Sequence, residues 1–346
     1  MKLKHPGRPF LFATAALLAA SMLPARAQTT LRMADSLPAG HIIHQVLTKP
    51  FIDAVDKASR GQVRILHFPG EQLGKAKDML ALTQSGVTDI GYIGPSYASD
   101  KMPLSSALEL PGAFSDYCQG SRTLWALTHD GGYLETHEFA PNHIVVLITF
   151  MLPSYQVLLG NGKNVQSLKD LAGMKIRSGG GAMDFMLKDL DMVPVRMTPP
   201  EIYEALSRGT VDGALLPYES AVSYGVATKL KSGTNKENFG SVVLTYGIGD
   251  TRWKQLPEGV RATLMQAGRD VSLGACTGFQ KAEDAAYDKT KAMGLKTIVL
   301  GAADKKDLAT AFAKASNEWA ASVDKRGKPG TETLAAVRKA LAEAKP

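Results

Sequence analysis

Between Leu168 and Pro217 short apolar runs alternate with helix-patterned segments, and this alternation constrains the fold more than any other feature. Met174 to Arg177 and Val193 to Met197 read as strands, with a helix from Ala182 to Leu190 between them. Pro199, Pro200 and Glu201 open a second helix that stops at Gly209, with proline at the start and glycine past the end. Val211 to Leu216 is another strand. Strands separated by helices require crossover connections, so the pattern predicts an α/β sheet. It also sets Arg177 at a strand end, followed by Ser178 and three glycines, Gly179, Gly180 and Gly181. Such a strand delivers a fixed cation to the mouth of a cleft. The glycines let a ligand approach the backbone, and helix amides begin just beyond. A guanidinium stays charged and grips a carboxylate with two prongs. On composition alone, a surface ion pair is the commoner use of a strand-end arginine.

The same alternation runs through the earlier part of the chain. Leu31 to Ala34, Val63 to Phe68 and Asp89 to Ile93 read as strands. Helices from His41 to Arg60 and from Glu71 to Ser85, the latter closed by Gly86, lie between them. Ile144 to Phe150 and Gln156 to Leu159 are further strands, and the chain after Leu256 is mostly helical. No repeat and no low-complexity linker interrupts it, so two lobes would exchange strands instead of hanging on a tether.

Residues 1–27 read as a secretory signal peptide. Lys2, Lys4 and Arg8 precede an apolar run from Phe10 to Ala20, and Ala25-Arg26-Ala27 is a small-x-small site with cleavage expected after Ala27. The run is too short to span a membrane. The mature chain is therefore expected in the periplasm, with about 319 residues, enough for two cores. Losing four basic residues with the leader reduces the net charge from +7 to about +3. That balance, without a Lys/Arg block or an aromatic ladder, argues against a nucleic-acid partner. Cys118 and Cys276 are the only cysteines, and an oxidising compartment permits their pairing without requiring it. No Cys/His metal spacing occurs. His41 and His44 share a helix face, but no third ligand stands near them in sequence, so no metal and no cofactor is expected.

Several segments together resemble the extracytoplasmic solute-binding subunit of TRAP (tripartite ATP-independent periplasmic) transporters, the dicarboxylate-binding-protein (DctP) family. Leu31-Arg32-Met33-Ala34-Asp35 with His41 and His44 is similar to its first strand and helix start. Phe68-Pro69-Gly70-Glu71-Gln72-Leu73-Gly74 and Gly86-Val87-Thr88-Asp89-Ile90-Gly91 resemble its next turn and strand entry. Leu168-Lys169-Asp170-Leu171-Ala172-Gly173-Met174-Lys175-Ile176-Arg177 matches its L-x-D-L-x-G-x-K-I-R signature. Glu201-Ile202-Tyr203-Glu204-Ala205-Leu206, Gly209, Val211-Asp212-Gly213 and Pro217 follow, and Trp253-Lys254-Gln255-Leu256-Pro257 comes late. Each motif is weak, whereas the ordered set covers nearly all of the mature chain.

The resemblance implies a two-lobed periplasmic binding protein of α/β class, with strands and long helices crossing between lobes that hinge over a ligand. The expected division is 28–154 plus 245–283 for lobe I and 155–244 plus 284–346 for lobe II. It also implies that Arg177 takes the ligand's carboxylate, and that a monomeric receptor delivers the ligand to a permease driven by an ion gradient. Two features depart from the family. Many members carry a second arginine about twenty residues before Arg177, where Met151 to Leu158 stands here without one. Many carry an asparagine before the proline that follows V-D-G, where Leu216 stands here. Apolar walls disfavour a second carboxylate or many hydroxyls, which would lose water unpaired. The ligand expected is a monocarboxylate with an apolar or aromatic body, a C4-dicarboxylate or sugar acid being the alternative if other residues replaced the lost contacts.

The candidate ligand residues are Arg177, Gln156, Tyr155, Leu216, Ser96, Tyr97, Tyr218 and Phe150. Ser96 and Tyr97 follow a buried strand, whose loop should face the cleft. Tyr155 and Gln156 stand where the missing arginine would be, and they and Tyr218 are the replacements the alternative needs. Tyr218 and Glu219 follow Pro217, where a helix start competes with ligand contact. Phe150 ends an apolar strand and serves core packing or cleft lining. The competing class is an exported hydrolase, but no Gly-x-Ser-x-Gly or HExxH pattern is present. Nor does Gly179-Gly180-Gly181 have the lysine and hydroxyl of a phosphate loop. An enzyme is therefore not expected.

Overall fold

The computed structural model describes residues 1–3, 28–114 and 116–344. The predicted leader lies outside them apart from its first three residues. Eleven strands form two mixed sheets, the architecture expected of two α/β lobes. In chain order they are β1 (Thr29–Ala34), β2 (Val63–Phe68), β3 (Ile90–Ile93), β4 (Ile144–Met151), β5 (Gln156–Leu159) and β6 (Lys175–Ser178). Then follow β7 (Val193–Arg196), β8 (Gly213–Leu216), β9 (Ser232–Thr234), β10 (Val243–Gly249) and β11 (Lys296–Ile298).

The first sheet has the order β2-β1-β3-β10-β4 and the second β11-β9-β5-β8-β6-β7. β1 pairs in parallel with β2 and β3, while β10 is antiparallel to β3 and β4. In the second sheet β6 runs parallel to β7 and β8. Central strands of both sheets are buried on both faces, which is why β3, β5 and β8 read as unbroken apolar or glycine-containing runs. The exposed edge of β4 is protected by side chains. Thr149 N–H donates to Ser272 Oγ at 2.9 Å, and a ring nitrogen of His129 meets Val146 O at 3.1 Å.

The chain passes from the first sheet to the second between Met151 and Gln156 and returns between Thr234 and Val243. The helix Cys276–Ala292 packs on Tyr218–Ser223 of the second lobe and on Tyr117–Thr128 of the first. Cys118 and Cys276, which the sequence left open, form a disulfide that ties these first-lobe and crossing helices together, with Cα atoms 5.3 Å apart.

Three expectations change. The helix predicted from Glu71 begins only at Ala76, because Glu71 sits at φ +64 and its carboxylate instead accepts Ala76 N–H at 3.0 Å. β10 starts at Val243, ahead of the boundary placed at 245. The last helix, Gly330–Glu343, had been assigned with 284–346 to lobe II. It packs on Tyr117–Thr128 and on Leu104–Ala107 of the first lobe, burying Leu334, Val337 and Leu341. Among the described residues no helix is long and apolar enough to cross a membrane.

Candidate functional site

Parallel strands of both sheets end at the interface of the lobes, the place where α/β sheets hold ligands. Arg177 stands one residue before the end of β6 and has no exposed surface. Its Nε donates to Met197 O at 2.9 Å and its Nη1 to Leu215 O at 3.1 Å, whereas Nη2 has no protein partner. Among the described residues no carboxylate pairs with it. A buried charge is normally neutralised by a partner of opposite sign, and this guanidinium has only two main-chain carbonyls. Ser178 fixes the strand end beyond it, donating to Asp184, which also takes Arg196.

The glycines serve the approach of the lobes. Gly180 (φ +93) and Gly181 (φ +64) adopt backbone conformations that L side chains rarely tolerate. A Cβ on Gly180 would stand 3.4 Å from Ser96 O, and one on Gly181 only 2.7 Å from Ser106 Oγ. The loop therefore lies against the first lobe at Ser96 and Ser106 with no room for side chains.

Ser96 is buried and its Oγ has no protein partner. Tyr97, next to it, is half-buried; burial pushes its phenol up and the Arg177 charge pulls it back, so the two face each other. Tyr155 is fully buried: burial raises its phenol strongly, Tyr97 adds to this and Arg177 opposes it. The fold thus brings Arg177, Ser96, Tyr97 and Tyr155 together.

The other four candidates have core contacts. Gln156 is saturated: its amide nitrogen donates to Glu237 O at 2.7 Å and Ser154 O at 3.2 Å. Its oxygen accepts from Thr234 Oγ1 at 2.9 Å and Glu237 N–H at 3.4 Å. It pins the β5–β9 edge and has no polar group left for a ligand. The Tyr218 hydroxyl donates to Thr234 O at 2.7 Å and its ring packs on Tyr287, so it points into the second core. Leu216 lies in that same core. Phe150 sits between Tyr92 and Phe279, with ring centroids at 6.2 and 5.9 Å.

Glu219 is buried, accepts only from Ser220 Oγ (2.6 Å) and leaves Oε2 without a partner. Burial raises its carboxyl to about 8. Tyr224, at the C-terminal end of the same short helix, feels its charge, and its ring centroid stands 5.0 Å from that of His41 of the first lobe. Glu109, on the first-lobe side of Gly181, accepts Val243 N–H at 3.0 Å and is raised by burial to about 7. Periodicity gives no sign of these residues, because the lobes that meet around them are far apart in sequence.

The histidines separate. His41 is buried and neutral, burial lowering it to about 3. His44 instead joins His67 from β2 on the Asp35 carboxylate, with one donor atom from each of the three residues lying within 4.8 Å. The absence of a third ligand near His44 in the sequence is thus made good by the fold. Burial raises Asp35, and the two histidine hydrogen bonds outweigh it, holding the carboxyl at about 2. Leu37 N–H (2.9 Å) and Tyr246 Oη–H (2.9 Å) complete a carboxylate fully engaged by protein donors.

Two α/β lobes closing over a buried, acid-free guanidinium define an extracellular binding receptor. The family model for bacterial extracellular solute-binding protein, family 7 (DctP), matches residues 33–322, and the chain belongs to this family of TRAP solute-binding proteins. A solute-binding protein of Albidiferax ferrireducens is 28% identical over 278 residues, covering 76% of this chain and 80% of its own. A TRAP solute-binding protein from a marine metagenome, solved with metahydroxyphenylacetate, superposes with TM-score 0.84 at 21% identity over 92% of this chain and 100% of its own. One from Rhodoferax ferrireducens, solved with copurified benzoate, gives 0.83 at 23% identity over 92% of this chain and 98% of its own.

Proposed function

We propose that the chain captures a monocarboxylate with an apolar or aromatic body in the periplasm and delivers it to a TRAP permease driven by an ion gradient. The observation that carries this reading is Arg177, a fully buried guanidinium with two main-chain partners and no acid. A planar donor in a dry cleft orients one carboxylate through its free N–H groups. The surrounding Tyr97 and Tyr155 offer ring faces. No second buried arginine stands near, which weighs against a C4-dicarboxylate. The aromatic monocarboxylates bound by the two structural neighbours point the same way.

Capture proceeds by closure. A ligand that touches both lobes favours the closed form by its differential affinity for it, and the Gly180–Gly181 backbone permits the lobes to meet. The receptor acts by binding, without chemistry on the ligand, and as a monomer. The leader directs export and is cleaved after Ala27. The lobes divide near Leu152–Tyr155 and again between β9 and β10, with the last helix returning to lobe I.

A thermal-shift screen of the mature protein against a carboxylate library tests the reading. Aromatic and aliphatic monocarboxylates should raise the midpoint through linkage, and succinate and sugar acids should not. A strong shift with succinate alone would replace the proposed ligand class by the dicarboxylate alternative.

A further inference from the structure

We infer that Glu219 forms a second polar subsite of the cleft, opposite Arg177, that reads a hydroxyl group on the ligand's apolar body. This rests on the carboxylate reading of Arg177 and extends it to the ligand's other end. The topology sets the two residues on one edge. Arg177 reaches along the neighbouring strand to Leu215 O; β8 ends at the next residue, the chain turns at Pro217, and Glu219 follows in the first turn of the helix Tyr218–Ser223. The N–H groups of Tyr218 and Glu219 are both held by the Glu283 carboxylate, at 3.0 and 2.9 Å, which fixes the start of that helix. The Tyr155 phenol feels the charge of both Arg177 and Glu219.

Three glutamates among the described residues are buried, Glu109, Glu138 and Glu219. Glu138 accepts the N–H groups of Leu104 and Ser105 and the Ser105 hydroxyl, and Glu109 accepts Val243 N–H. Both thereby anchor backbone, although Glu109 Oε2, like Glu219 Oε2, has no hydrogen-bond partner. Glu219 accepts no backbone N–H: Oε1 takes the hydroxyl of its neighbour Ser220, and Oε2 takes nothing from the protein. A leucine of similar size would spare that desolvation, so the carboxyl does work that the fold does not require. Burial keeps the group protonated near neutral pH. A protonated carboxyl donates to a hydroxyl oxygen, and an ionised one accepts from the same hydroxyl, so a hydroxyl satisfies Oε2 in either state. A second carboxylate would be repelled by the ionised form.

Calorimetric titration of the mature protein with benzoate and its three monohydroxy isomers tests the subsite, using wild type, Glu219→Gln and Glu219→Leu. Wild type should bind at least one hydroxy isomer about tenfold more tightly than benzoate, the worth of one net hydrogen bond. Glu219→Leu should keep benzoate affinity, lose the preference and melt at or above the wild-type midpoint without ligand. Glu219→Gln should retain most of the preference. A hydroxyl preference that survives in Glu219→Leu, or a wild type that prefers benzoate, overturns the subsite while leaving the Arg177 reading intact. A Glu219→Leu protein that melts well below wild type assigns Glu219 a structural role and also overturns it. If none of the four acids binds to wild type, the aromatic-acid reading itself fails and the subsite falls with it.

Discussion

At the residue scale the protein turns on a single buried cation. The sequence pointed to Arg177 because glycines follow it and because it ends the L-x-D-L-x-G-x-K-I-R segment that resembles the family signature. The structure adds that its side chain also supports the carbonyls of Met197 and Leu215. Truncation to alanine, which sequence alone suggested would leave the fold intact, removes both of those hydrogen bonds and opens a cavity, a cost of about 2–4 kcal/mol. Arg177→Lys is the cleaner test. It keeps the charge but loses the planar fork, and isothermal titration should show carboxylate affinity reduced by about 10- to 100-fold. Glu219 was harder to read. Whether Tyr218 or Glu219 faces the cleft is decided by the angle of the turn at Pro217 and the Glu283 cap, and neither is a local property of the sequence. Its carboxyl also makes a pH prediction. The folded value of about 8 lies above the ordinary glutamate value of 4.5, so the stabilising contribution is complete below pH 4.5 and lost as pH rises through 8. Urea unfolding at pH 5 and pH 9 should show Glu219→Gln flattening that alkaline loss by about 1–3 kcal/mol. An unchanged slope would show that Glu219 titrates normally.

At the element scale, the strands that pair with near neighbours were legible. β2 and β5 have the bounds that their apolar runs predicted, and β6 and β8 moved by one or two residues. β10 was not legible as a strand. It is interrupted by Gly247 and Gly249, it follows no helix, and its partners β3 and β4 come from a different part of the chain. The glycine loop after β6, expected to let a ligand approach the backbone, is in the fold a contact between lobes. Gly181→Ala should therefore act on closure. An added Cβ meets Ser106 Oγ at 2.7 Å from a backbone at φ +64 and holds the lobes apart. The expected result is an affinity loss of at least about tenfold in titration, exceeding what the variant's strain of about 1–2 kcal/mol alone would remove from unfolding stability. Full affinity in this variant would show that the loop need not touch the first lobe.

At the scale of the whole molecule, two sheets are joined by crossing segments and by one covalent bond. The alternating pattern and the ordered motifs made the two-lobed α/β architecture readable in advance, while the route of the last helix was not. That helix is amphipathic in the same way as its neighbours, and it docks on surfaces of Ala302–Lys325, Tyr117–Thr128 and Leu104–Ala107 that are distant in sequence or formed only on folding. The Cys118–Cys276 disulfide closes a long stretch that contains the entire second-sheet excursion between β4 and β10. Replacing both cysteines by serine should lower unfolding stability by about 2–5 kcal/mol, measured in urea, with ligand affinity changed little because Arg177 and Ser96 lie elsewhere. An equal loss of affinity would mean the bond also sets the hinge. The central claim is that one guanidinium, buried between two lobes and unpaired with any acid among the described residues, holds the carboxylate of the transported solute. The most direct test is a crystal structure with the acid that gives the largest thermal shift. The account predicts carboxylate oxygens at about 2.7–2.9 Å from Arg177 Nη2, and a ligand bound with its carboxylate on any other group would contradict it.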